Sequence, residues 1–126
     1  MIKRTAVAGV AAAVLLAGVG ASEVESADSQ KRFSVRGLGT TTCSKYLEAR
    51  NLNVRESEQY AHWFTGFITA YNWKEPDTFD ISHQYKSNGL LRYLDLYCGN
   101  NPTKRIIDAS TEFVRAVYEK RQKAGS

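Results

Sequence analysis

The chain has 126 residues, 43% of them hydrophobic, with seventeen Lys and Arg against thirteen Asp and Glu. That length holds one small domain and excludes a β/α barrel or a dinucleotide-binding doubly wound sheet. The apolar content is too high and too regularly spaced for an unfolded chain.

The chain opens on Lys3 and Arg4, followed over 5–20 by an uncharged run made mostly of Ala, Gly and Val. Val19, Gly20 and Ala21 put small residues where a signal peptidase reads, so 1–21 is expected to be a cleaved signal peptide. The expected location is the periplasm. The apolar run of about sixteen residues is short against the roughly 20 that cross a bilayer, so no membrane span is expected after cleavage. Lys3 and Arg4 leave with the leader, which takes the formal charge from +4 to +2. The remaining basic residues are scattered among acids rather than gathered with aromatics, which argues against a nucleic-acid partner.

Residues 22–40 carry few apolar side chains and no sustained period, and read as a flexible N-terminal segment. A helical domain is expected over 41–122, with 123–126 as a frayed tail. Its first helix is short: Thr41 or Thr42 can cap it, and Cys43, Tyr46 and Leu47 share a face. Asn53, with Glu56 three residues on, has the spacing of a cap for the second helix. Along that helix Tyr60, Phe64, Phe67, Ile68 and Tyr71 form a stripe of helical period. In a third helix from about 88 to 98, Leu90, Leu91, Leu94, Tyr97 and Cys98 follow the spacing i, i+1, i+4, i+7, i+8. A fourth is expected to start with Asn101 as cap and Pro102 as its first residue, and to bury Ile106, Ile107, Phe113, Val114, Val117 and Tyr118. No run alternates long enough for a strand. Residues 74–87 read as a long loop pinned to the core by Phe79, Ile81 and Tyr85.

Cys43 and Cys98 have one pairing open to them, and in an oxidising compartment a disulfide is expected. It closes a loop of 55 residues, for which the chain-entropy account gives about 4 kcal/mol. A metal site would have to recruit His62 and His83, which lack paired spacing, and the C-x-x-C-H of haem attachment is absent. Neither metal nor cofactor is expected. The fold class is therefore all-α: a small four-helix bundle stapled by one disulfide, the first helix tied to the end of the third.

No catalytic residue is expected. His62 lies off the core stripe, His83 sits in the long loop, and both cysteines are better used in the disulfide. Glu75, Asp77 and Asp80, the densest acidic group, read as a solvated turn with Asp caps. The second helix is more informative. Trp63, Gly66, Ala70 and Trp73 form a second stripe beside the core one, with small residues between two tryptophans making a shallow notch. The favoured reading is close packing of a helix or of the 74–87 loop into that notch, because glycine inside a helix is usually kept for close approach. The other is a protein interface, since Trp and Tyr are typical anchors there. The candidate partner-binding residues are Trp63, Trp73, Asp77, Phe79, Asp80 and Tyr85.

The pattern Thr42-Cys43-x-x-Tyr46-Leu47, Trp63-x-x-Gly66-Phe67-Ile68, Leu94-x-x-Tyr97-Cys98-x-x-Asn101-Pro102, then Ala109 and the Val114/Val117 pair, resembles two groups of small exported bacterial proteins over 41–118. One is the Rap/Tai-type immunity proteins that neutralise type VI secretion effectors. The other is the HdeA-type acid-stress chaperones. The resemblance implies a helical fold with one disulfide, a periplasmic location and no enzymatic activity. The Trp-x-x-Gly-Phe-Ile segment and the Asn-Pro pair look more like the immunity group, and the aromatic-rich second helix departs from the chaperone group. The expected function is binding and neutralising a partner protein. The alternatives are an acid- or stress-activated chaperone for unfolded clients, or an accessory envelope protein; a second copy of the chain is a further candidate partner.

Overall fold

The computed structural model describes residues 27–28, 30 and 32–126. The signal peptide and its cleavage site lie outside the described residues. The chain divides into a unit Met1–Phe33 and a unit Ser34–Ser126. In the first, the Asp28 carboxylate accepts the Arg32 backbone N–H at 2.7 Å and its guanidinium at 2.9 Å.

The second unit opens with a 3-10 turn, Gly37–Thr40, ahead of four helices: α1 Cys43–Leu52, α2 Val54–Lys74, α3 Ser87–Asn100 and α4 Ile106–Val117. A closing 3-10 turn spans Tyr118–Lys120. The described residues contain isolated bridges but no strand, so the fold is the all-α four-helix bundle. Cys43 and Cys98 form the disulfide, with 4.8 Å between their Cα atoms, and it joins the start of α1 to the end of α3.

Ordered structure thus begins before Thr41. Gly37 adopts a left-handed φ of 63°, which turns the chain onto α2. Gly39 lies buried against the Trp63 indole, where a Cβ would run into the ring. Trp63 Nε1 donates to the Arg36 carbonyl at 2.9 Å and holds the turn in place.

Helix α1 begins at Cys43, but the Thr42 side chain does not cap it. Backbone carbonyls do that work: Cys43 N–H donates to Lys104 O at 2.7 Å and Ser44 N–H to Pro102 O at 2.9 Å. The same contact corrects the expected start of α4. Asn101 caps the C-terminus of α3 instead, and α4 begins four residues later at Ile106. The turn over 102–105 is drawn out to lie along the head of α1, where Thr42 and Arg105 bridge and Ile106 N–H donates to Thr41 O at 2.9 Å. The charge at the head of α4 is Asp108, whose carboxylate accepts the Arg105 N–H at 2.9 Å. Asn53 caps α2 as its spacing predicts, accepting the Glu56 N–H at 3.2 Å.

The core is aromatic at its centre. Phe113 of α4 packs edge to face with Phe64, Tyr85 and Tyr93 at 5.3, 5.2 and 5.0 Å between centroids. Tyr46 and Tyr60 meet edge to face at 5.2 Å. Ile68, Ile81, Leu90, Leu94, Ile106, Ala109 and Val117 fill around them. Among the described residues no buried side-chain nitrogen or oxygen is left without a partner. A polar cluster ties α1 to α3: the Asp95 carboxylate accepts the Tyr46 hydroxyl at 2.7 Å and the Arg50 guanidinium at 2.8 and 2.9 Å. Burial pushes the Asp95 pKa up, but the bonds from Arg50 and Tyr46 outweigh it and hold the carboxyl below its ordinary range. Burial, with Asp95 behind it, pushes the Tyr46 hydroxyl well above the ordinary tyrosine range.

Candidate protein-binding surface

The Trp63/Gly66/Ala70/Trp73 stripe does not pack as one surface. Trp63 is half-buried under the Gly37–Thr40 turn and stacks on Phe67 at 6.0 Å. Gly66, Ala70 and Trp73 face outward, and a Cβ on Gly66 would meet nothing within 4 Å. The expectation that the loop or a helix fills the notch is therefore corrected: the close approach occurs at Gly39, against the Trp63 ring. Trp73 is 89% exposed, the most exposed large apolar side chain among those described.

The chain beyond Trp73 forms an ordered loop. The Asn72 side chain accepts Ile81 N–H at 2.8 Å through Oδ1 and donates to Asp80 Oδ1 at 3.4 Å. Asp80 Oδ1 also accepts the Ser82 N–H at 2.8 Å and hydroxyl at 2.9 Å, so this acid organises the loop from within. Ile81 is buried and anchors the segment. The loop also pairs with the chain end: Phe79 and Asp80 N–H donate to Gln122 O at 2.9 and 3.2 Å, and Gln122 N–H returns to Asp80 O at 2.8 Å. The segment between α2 and α3 thus finds a one-residue partner beyond α4.

Arg121 closes the arrangement. Its guanidinium lies 4.0 Å above the Tyr118 ring and donates to Tyr118 O at 3.0 Å and to Thr78 Oγ1 at 3.1 Å. Tyr118 hydroxyl donates to Glu75 Oε1 at 3.0 Å. Asp77, at a left-handed φ of 52°, stands 3.9 Å from both Arg121 and Lys123. The acids of the loop are turned to internal partners. Phe79, by contrast, is 66% exposed.

The six candidate residues therefore divide by environment. Trp63 packs the N-terminal turn, Tyr85 meets Phe113 edge to face while keeping 38% of its surface exposed, Asp80 is internal to the loop, and Asp77 faces Arg121 and Lys123. Trp73 and Phe79 remain in water, one at the last turn of α2 and the other on the loop bonded to that turn. The supporting residues Asn72, Arg121 and Gln122 were not visible as such in the sequence. The even spacing of Phe79 and Ile81 marks a short extended segment, but nothing local names a partner some forty residues on. Other exposed apolar residues are Phe33 in the first unit, Leu52 and Val54 at the α1–α2 junction and Leu96 on α3; single exposures of that kind are ordinary. Among the described residues no three His, Cys, Asp or Glu side chains gather as a metal site, and no helix is long and apolar enough to cross a membrane.

Compared with known proteins, the chain matches no family model, no curated protein and no solved structure.

Proposed function

We propose that this chain is a non-enzymatic exported protein that binds one partner protein, in the manner of the immunity-type proteins it resembles. One observation carries the reading: Trp73 and Phe79 are left in water beside a loop whose backbone and acids are already held by internal bonds. Large aromatics on a pre-ordered frame lose little conformational entropy on docking and supply the anchors that dominate protein interfaces. The disulfide suits an oxidising compartment such as the periplasm.

A photo-crosslinking amino acid placed in cells at position 73, at 79 and, as control, at 52 tests this. Binding predicts one discrete adduct from 73 and 79 that is absent from 52. Equal labelling from all three positions would contradict it.

The acid-chaperone reading rests on a separate observation. Asp95 and Asp108 are held below the ordinary carboxylate range, and Asp95 joins two helices. Carboxyls depressed in this way give stability above their unfolded pKa, and that stability is lost as the pH falls through the folded values. Light scattering of a periplasmic extract taken to about pH 3 and neutralised tests it, since acid denaturation of this kind sets in as such carboxyls protonate. A chaperone suppresses the aggregation, and unchanged scattering removes the reading.

A further inference from the structure

The disulfide shares the junction of α1 with α3 and the turn that follows it with two non-covalent ties. Toward the N-terminus of α1, Cys43 and Ser44 N–H donate to Lys104 and Pro102 carbonyls, in the turn that leaves α3. One and two turns further along α1, Tyr46 and Arg50 bind Asp95 of α3. As α1 advances three residues from Cys43 to Tyr46, α3 retreats three from Cys98 to Asp95, which is the register of an antiparallel pair. On the α3 side Cys98 falls between the two ties, and on α1 Cys43 itself carries one bond of the first.

Both cysteines are fully buried, so in the closed domain no dissolved oxidant reaches them. The bond has to form while the domain is still partly open, and it needs α1 and α3 to be in register by then. Arg50 and Asp95 keep about a third of their side-chain surface in water, 33% and 34%, so this tie forms without burying bare charge. Its bidentate geometry fixes the direction as well as the distance of approach.

We infer that the Tyr46–Arg50–Asp95 cluster and the 102–104 carbonyls are a bracket that sets Cys43 opposite Cys98 before oxidation, and holds the α1–α3 junction closed when the disulfide is reduced. With oxidised glutathione as oxidant, one cysteine thiolate attacks the glutathione disulfide and expels a glutathione thiolate. The second cysteine thiolate attacks the mixed disulfide, closes Cys43–Cys98 and releases the second glutathione. Two electrons pass to glutathione, and the two thiol protons end on the two released glutathiones by way of solvent. The bracket acts on the second step by raising the effective concentration of one cysteine at the other.

The test refolds the reduced chain in a glutathione redox buffer, quenches at successive times with a thiol alkylating reagent and follows the free, mixed-disulfide and closed forms by mass, which gives the rate of the second step. Wild type is compared with Asp95→Asn and with Val117→Ala, which loosens the core on α4 outside the bracket. Asp95→Asn is expected to slow closure of the mixed disulfide about fivefold, the scale of a partly exposed ion pair; Val117→Ala leaves that rate unchanged. Where Asp95→Asn fails to fold, Tyr46→Phe keeps the buried ring, removes only the hydroxyl bond and is expected to show a smaller slowing. If the bracket variant that folds closes at the rate of Val117→Ala, the inference is overturned.

Discussion

Gly39 and Gly66 show how differently one residue type is used in the neighbourhood of one tryptophan. Gly39 makes room for the Trp63 indole, whereas Gly66 meets open space on the outer face of α2. Gly39→Ala is expected to destabilise the domain by about 1–3 kcal/mol by overpacking. For a domain of this size each kcal/mol lowers Tm by about 4–8 °C. Gly66→Ala is expected to raise stability by about 1 kcal/mol, because a helix-interior glycine with no close neighbour only adds backbone freedom to the unfolded chain. Thermal unfolding of the two variants should move in opposite directions. Trp73→Ala, by contrast, should leave stability unchanged within about 0.5 kcal/mol, since its ring is 89% exposed and has little packing to lose. The two tryptophans are indistinguishable by spacing alone. They differ because the Gly37–Thr40 turn reaches Trp63 and not Trp73, and that turn comes from a stretch with no periodic signal.

Among the elements, the helical stripes were legible. Tyr60, Phe64 and Ile68 of α2, Leu90, Leu94 and Cys98 of α3, and Ile106, Phe113 and Val117 of α4 are buried as a 3.6-residue period requires. The cap at Asn53 was legible too, because a cap bonds within its own turn. The start of α4 was not. Asn101 and Pro102 have the local chemistry of a helix opening, but the backbone just beyond α3 is recruited to cap α1, a tertiary demand that local spacing does not carry. The loop after α2 fails to be legible for the same reason, since its frame comes from Asn72 and Gln122 at either side of it. Asn72→Ala removes the acceptor of Ile81 N–H in a partly buried setting, which costs about 1–3 kcal/mol. Amide exchange at Ile81 and Ser82 should then quicken far more than exchange in α3; uniform quickening would show that the loop is not held by this side chain.

For the whole molecule, the four-helix class and the single disulfide follow from chain length, stripe spacing and the cysteine pair, all of which the sequence displays. The charges add a pH dependence at both ends. Below about pH 4, the ordinary range of free carboxyls, protonation of Asp95 and Asp108 withdraws stability that is fully present at neutral pH. At the alkaline end burial, reinforced by Glu112, pushes the Tyr93 hydroxyl up to about 12. A neutral tyrosine is therefore favoured by the folded state, and its contribution is lost as pH rises from its ordinary value of 10 toward 12. Urea midpoints measured across pH should form a plateau that falls away at both extremes. Asp95→Asn should flatten the acid limb, and Tyr93→Phe the alkaline one.

On the proposed function, Trp73 and Phe79 anchor one protein partner on a domain that needs neither ring for its own stability. Calorimetric titration addresses both halves of that statement at once. The partner captured at position 73 is titrated at neutral pH into wild type, Trp73→Ala and Phe79→Ala, with Tm recorded for each. The expected result is a one-to-one complex, weakened at least thirtyfold by Trp73→Ala (about 2 kcal/mol, the scale of an interface anchor), with Tm unchanged. Equal affinity for wild type and both variants, at equal Tm, would contradict it.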